Sequence, residues 1–202
     1  MNVSGKITLR TAELLYFSFM LKYSKEIFDI LSKGSFISMN SVSQANRAYF
    51  DQIEDDFESY REYYEGIGFV LESGNGYFYF SRHEQRVNAV DKLLRFCDWI
   101  DRLDFLKTFN SAFGSGFVFT KAKILERISC DMELKDKAVK LYADKKVFAD
   151  VIDRLTDDLM KAGFVELEND LEGLYKVTSA FHYLDELVNC LNIVEGAENE
   201  IP

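Results

Sequence analysis

Two passages of this chain end in the same way. Gly68-Phe69-Val70 and Gly163-Phe164-Val165 lie 95 residues apart (163 minus 68), and each leads within a few residues to another glycine and then a tyrosine-bearing strand. Self-similarity at a long period is the mark of duplicated architecture. A single match can arise by chance, so the weight falls on the elements in front of each copy, which follow a similar order. With 202 residues there is length for two units that each bury a core.

In the first copy, Leu14, Phe17, Leu21, Phe28 and Leu31 recur at helical spacing and predict a helix over 11–31, stopped by Gly34. Ser41 with Gln44 reads as a capping box for a second helix through about Phe50. A third helix over 54–65 sets Phe57, Tyr60 and Tyr64 on one face and ends at Gly66 and Gly68. Phe69-Val70-Leu71 and Tyr77-Phe78-Tyr79-Phe80 then read as strands around the turn residues Ser73-Gly74-Asn75-Gly76. Three helices followed by a hairpin is the winged-helix order.

Ser81 and Glu84 suggest a cap for a long helix to about Phe109, with Val90, Leu94, Cys97, Ile100, Leu103 and Leu106 as its apolar stripe. The second copy follows. Phe117-Val118-Phe119 is a strand, and Thr120 caps a helix with Ile124, Leu125 and Ile128. A helix over 134–142 comes next, and Asp144 caps one carrying Val147, Val151, Ile152, Leu155 and Leu159. Strands at 164–167 and 174–177 flank a turn at 169–173, and Ser179 starts a closing helix. No Pro-rich or Gly/Ser-rich linker interrupts this order. The expected fold is mainly α with small β wings (α+β): two tandem winged-helix domains, 1–82 and 113–202, joined by a connecting helix at 83–112.

Charge narrows the function. The net charge is -10, with 34 acids against 24 bases, which disfavours a general nucleic-acid coat because Lys and Arg supply that affinity. A DNA-reading winged helix also needs Lys, Arg, Asn or Gln on its third helix. Here Asp51, Glu54, Asp55, Asp56, Glu58, Glu62 and Glu65 stand against Arg61 alone. Such a face is either a solvated surface or a dock for a basic or mixed partner. The second copy is locally basic, and Lys121, Lys123, Arg127, Lys145 and Lys146 are candidates for weak DNA backbone contact. Its third helix mixes Arg154 and Lys161 with Asp150, Asp153, Asp157 and Asp158, so sequence-specific reading is poorly supported.

The 18 Phe and 11 Tyr add weight to protein contact, since aromatic rings dominate interfaces. Phe57, Tyr60, Tyr63, Tyr64, Tyr77 and Tyr79 form the candidate protein interface. Tyr77 to Phe80 shows no polar alternation, so two of its rings must be covered by another element of the chain or by a partner.

Residues arranged for chemistry are lacking. Cys97, Cys130 and Cys190 form no C-x-x-C pair and read as reduced thiols; His83 and His182 are isolated from them, so no metal site is expected. Gly74-Asn75-Gly76 lacks the Lys-Ser/Thr of a phosphate loop, and His182 near Asp185 matches no catalytic motif. The expectation is therefore no catalytic residue, no cofactor and no enzyme activity. The apolar run Leu14–Leu21 is bounded by Glu13 and Lys22 and falls short of the ~20 residues of a membrane span, so a cytoplasmic protein with no membrane partner is expected.

The tandem order, the acidic balance and the segment Asp56-Phe57-Glu58-Ser59-Tyr60-Arg61-Glu62-Tyr63-Tyr64-Glu65-Gly66-Ile67-Gly68, running into Phe69-Val70-Leu71 and the Tyr77-Phe80 wing, resemble one family. It is that of the kite proteins, kleisin-interacting tandem winged-helix subunits of bacterial SMC complexes, and within them the MukE/MksE class of condensin subunits. Accessory subunits of plasmid-defence SMC systems carry a similar passage. The resemblance implies a homodimer that binds an extended kleisin segment, meets the SMC-like ATPase through that kleisin, and touches DNA weakly or indirectly. It further implies a nucleoid-associated role in chromosome organisation, segregation or plasmid defence. The alternative left by the residues alone is a winged-helix transcription regulator working through its second copy.

Overall fold

The structure, a computed structural model, describes residues 21–81 and 89–186, the side chains of 89–97 excepted. Helix α1 (Ser24–Leu31) buries Ile27 and Leu31, four apart and hence on one face. The expected helix over 11–31 is interrupted in front of it: Leu21, Lys22 and Tyr23 form a bend and turn, and Tyr23 takes a left-handed φ of 62°. Its earlier part lies outside the described residues.

Helix α2 (Gln44–Asp55) is capped by Ser43, whose hydroxyl accepts from the Asn46 amide at 3.3 Å. The expected cap, Ser41, sits two residues too early; its hydroxyl oxygen accepts instead from the Ser43 amide at 3.1 Å. Asp56, at φ −142° and ψ 50°, breaks the chain between α2 and α3 (Phe57–Glu65), so the acidic stretch is two helices with a corner. Strand β1 (Ile37–Ser38) pairs with β3 (Tyr77–Ser81), which pairs with β2 (Val70–Gly74), giving an antiparallel sheet in the order β1-β3-β2.

The second half begins from α4 (Ala89–Phe109), which ends where the sequence predicts. Ser81, expected to cap it, is instead the last residue of β3 and donates its hydroxyl to Glu72 at 2.9 Å, while Glu84 and the side chains of the early stripe (Val90, Leu94, Cys97) fall outside what is described. Strand β4 (Val118–Thr120), β5 (Val165–Asn169) and β6 (Leu174–Val177) form a second antiparallel sheet in the order β4-β6-β5, the counterpart of the first. Between β4 and β5 lie three helices, α5 (Lys121–Cys130), α6 (Met132–Leu141) and α7 (Phe148–Lys161), where the first half has two. Thr120 caps α5 as expected and Asp131 caps α6. Asp144 does not cap α7, which starts four residues later after Val147 and has no side-chain cap. Residues 181–186 are helical. The fold is α+β, with helices around two small three-stranded sheets.

The repeated glycines do the same work in both halves. Gly68 (φ 87°) and Gly163 (φ 80°) take the left-handed conformation that closes a helix end. After Gly68, the Phe69 amide reaches back to the Tyr64 carbonyl; after Gly163, the Phe164 amide reaches back to the Leu159 carbonyl, both at 3.0 Å. Each six-residue closure turns a helix directly into the first strand of a hairpin.

Among the described residues there are two apolar clusters. One gathers Ile27, Leu31, Phe50, Ile53, Tyr60, Tyr64, Leu71 and Phe78 from the first half. The other gathers residues from α4 onward but also takes Tyr77. Strand β3 therefore lies between them. Phe78 and Phe80 belong to the first cluster, while Tyr77 and Tyr79 pack with the second, as the period of two along a strand requires. The missing polar alternation of this strand thus has its cause: both faces are covered by the chain itself. Phe36 completes the junction, with its ring 5.4–5.9 Å from those of Tyr77, Tyr79, Phe164 and Tyr183.

Candidate functional site

The acidic face is real as a surface. Asp51, Glu54 and Asp55 on α2, Asp56 at the corner, and Glu58, Glu62 and Glu65 on α3 are all exposed. Arg61 stands 3.8 Å from Glu58 with half its side chain in solvent, a pair that contributes little. Clustered carboxylates at this density repel a phosphate backbone and attract a basic segment.

The six aromatic candidates divide by position. Tyr60, Tyr64 and Tyr77 are buried to within 1% exposure, so they hold this chain's own packing and present no ring at its surface. Tyr60 donates its hydroxyl to the Lys22 carbonyl, and Tyr64 to the Ser24 carbonyl at 2.7 Å, which pins α3 beneath the turn before α1. Tyr77 donates to the Glu186 carboxylate at 3.1 Å. Burial pushes the Tyr60 phenol up to about 12, with Asp56 and Tyr23 adding to it. It raises Tyr64 and Tyr77 further in the same direction, and burial raises Tyr79 too. These phenols stay protonated donors at neutral pH. Phe57, Tyr63 and Tyr79 are half-buried. Phe57 stacks on Phe78 at 5.7 Å, Tyr63 meets Tyr64 edge-on at 5.1 Å, and Tyr79 meets Tyr183 at 5.2 Å. Phe57 and Tyr63 therefore rise from the core between the exposed acids of α3, and a partner can reach only their outer edges.

Three of the five basic candidates face carboxylates of the chain itself. Lys121 is held 2.8 Å from Asp153 and lies over the Tyr175 ring, Arg127 is 3.2 Å from Asp131, and Lys145 is 3.8 Å from Asp144. Lys123 and Lys146 are exposed. The exposed side of α7 carries Asp150, Asp153 and Asp157 with Arg154 and Lys161, a mixed face without the donor row that base reading requires.

Sequence reasoning missed a polar cluster where α4 meets α7. The Asp158 carboxylate receives Arg102 at 3.2 Å, the Tyr142 hydroxyl at 2.9 Å and Arg154 Nε at 3.1 Å. The Arg102 guanidinium lies over the Trp99 ring at 4.6 Å. Arg154 lies four residues back on α7 itself, but Arg102 and Tyr142 come from two other segments, and nothing in the local pattern announces them. Among the described residues no group of three or more His, Cys, Asp and Glu is placed to hold a metal, and no helix is long and apolar enough to cross a membrane.

A family model for the condensin complex protein MksE matches residues 22–188. The chain belongs to the MksE family. The match takes in both sheets and every helix from α1 to α7, so membership in this condensin-complex family attaches to the described fold as a whole and includes the acidic α2–α3 face. Comparison of this MksE-family chain with curated proteins gives no match.

Proposed function

We propose that this chain is a non-catalytic, kleisin-binding subunit of a bacterial SMC condensin, built as two tandem winged-helix domains (1–82 and 113–202) joined by a connecting helix (83–112). The observation that carries the reading is its membership in the condensin MksE family across residues 22–188. The sheet order and the helices before each hairpin support the winged-helix assignment. In this reading the acidic face of α2 and α3, with the outer edges of Phe57 and Tyr63, receives a basic or mixed kleisin segment. The chain acts as a homodimer, meets the SMC-like ATPase through the kleisin, and works in the cytoplasm at the nucleoid in chromosome organisation, segregation or plasmid defence. DNA contact is weak or indirect and belongs to Lys121, Lys123, Arg127, Lys145 and Lys146.

The test is binding of the purified chain to its kleisin by calorimetry, with and without Glu58→Lys, Glu62→Lys and Glu65→Lys together. We expect the charge reversal to weaken kleisin binding at least tenfold while the fold persists. Unchanged affinity would remove the acidic face from the interface. Salt-dependent, sequence-selective duplex binding with no kleisin binding would instead support a transcription regulator.

A further inference from the structure

The loop that leads from β1 into α2 is satisfied by the other half of the molecule. Asn40 spends its whole side chain across the junction: its Nδ2 donates to the Val177 carbonyl at 3.1 Å and to Ser115 Oγ at 3.4 Å, and its Oδ1 accepts the Ser179 amide at 2.6 Å. The next two residues meet the second wing. The Ser41 hydroxyl is shared between the two Glu166 oxygens at 2.7 and 2.9 Å, and the Val42 amide donates to the same carboxylate. From within the first half, Arg47 donates to the Ser41 and Val42 carbonyls. The loop is thus gripped from both sides, and Ser41 is only 1% exposed.

These contacts have an unusual distribution in sequence. Glu166 lies 125 residues from Ser41, and Ser179 lies 139 residues from Asn40. A carboxylate accepting from a hydroxyl and a backbone amide makes charge-assisted hydrogen bonds, roughly twice as strong as neutral ones. Removing the acceptor there leaves the buried Ser41 hydroxyl and the part-buried Val42 amide unpaired, which is the costly case. The apolar ring of Phe36, Tyr77, Tyr79, Phe164 and Tyr183 gives the junction contact area but little direction. The polar groups supply the direction.

We propose that Asn40 and Glu166 form one inter-half latch: positioning residues that close and open together and set the first winged unit against the second through residues 40–42. Glu166 sits on β5 immediately after the Gly163 closure of α7, and residues 40–42 lead directly into α2, which carries part of the acidic face. A load on the second hairpin is therefore transmitted to the start of α2, and the reverse.

The test is amide exchange resolved by NMR on the full chain. Glu166→Ala is followed at the Ser179 amide, which is bonded to Asn40 and not to Glu166. Asn40→Ala is followed at the Val42 amide, which is bonded to Glu166. We expect each substitution to speed exchange at the distant amide by about tenfold or more, as for a cooperative local opening, while core amides of α3 and α7 stay within about twofold of wild type. Glu166→Gln and Asn40→Asp each keep an acceptor oxygen, so they guard against misfolding and should show the same crossed pattern more weakly. The latch is overturned if each substitution affects only the amide whose own acceptor was removed. It is equally overturned if core amides accelerate by the same factor, since Asn40 and Glu166 would then be ordinary stabilising residues.

Discussion

Asp158→Ala tests the polar cluster behind α7. The carboxylate and Arg102 are both 15% exposed along their side chains, and the same carboxylate holds the Tyr142 hydroxyl at 2.9 Å and Arg154 at 3.1 Å. Truncation leaves a shielded guanidinium without its counter-ion and a phenol without its acceptor. Breaking a fully buried pair from one side costs about 3–5 kcal/mol, and residual solvent access reduces that. A hydrogen bond to a charged group contributes about 1.5–3 kcal/mol. The expected loss is therefore about 3 kcal/mol, which for a chain of this size lowers Tm by about 6–12 °C. Thermal unfolding followed by circular dichroism measures it, with Arg154→Ala as the control. Arg154 is 53% exposed, so its removal should change stability by no more than about 0.5 kcal/mol. If Asp158→Ala matches Arg154→Ala, the cluster does not hold α4 to α7 and the reasoning fails.

Gly74→Ala should destabilise by about 1–3 kcal/mol through overpacking, because a Cβ there would stand 2.0 Å from the buried Tyr77 ring; a chemical-denaturation midpoint equal to wild type would show that the ring moves aside freely. Gly68→Ala has open space but a left-handed φ, so it should cost about 1–2 kcal/mol from conformation alone, as should Gly163→Ala; a loss at one and not the other would break the equivalence of the two helix closures. Burial raises the pKa of Tyr60 from 10.0 to about 12, so the folded state holds that proton more tightly than the unfolded chain. The stabilisation this represents is complete below pH 10 and is lost as pH rises from 10 towards 12. Tyrosinate absorbance should accordingly show a late, steep phase coincident with unfolding, and smooth titration of all 11 tyrosines near pH 10 would contradict the burial.

What was legible in the sequence was what neighbours decide. Gly68 and Gly163 announced the helix closures because a left-handed turn after a helix favours glycine, and all four hairpin strands start within one residue of their expected positions. Boundaries settled by distant partners were not legible. Ser41 and Ser43 are equally good caps by composition; Ser41 is drawn away by Glu166, a residue 125 positions on. The corner at Asp56 and the late start of α7 likewise escaped a reading based on periodicity. Among the site residues, the acidic face could be read directly because exposed charge needs no partner. The aromatic candidates could not be sorted, since the same Tyr-Phe-Tyr-Phe pattern suits a partner surface and a strand between two cores. Tyr77 falls inside because the glycine opposite it, Gly74, leaves room for its ring.

The central claim, a condensin subunit that holds a kleisin through an acidic face, is tested most directly by affinity capture of the tagged full chain from native lysate. We expect recovery of a kleisin and a long coiled-coil ATPase with the wild-type chain, and loss of both with the Glu58→Lys, Glu62→Lys, Glu65→Lys variant. Recovery of neither by the wild-type chain would contradict the assignment to an SMC complex; equal recovery by both chains would contradict the acidic face as the site.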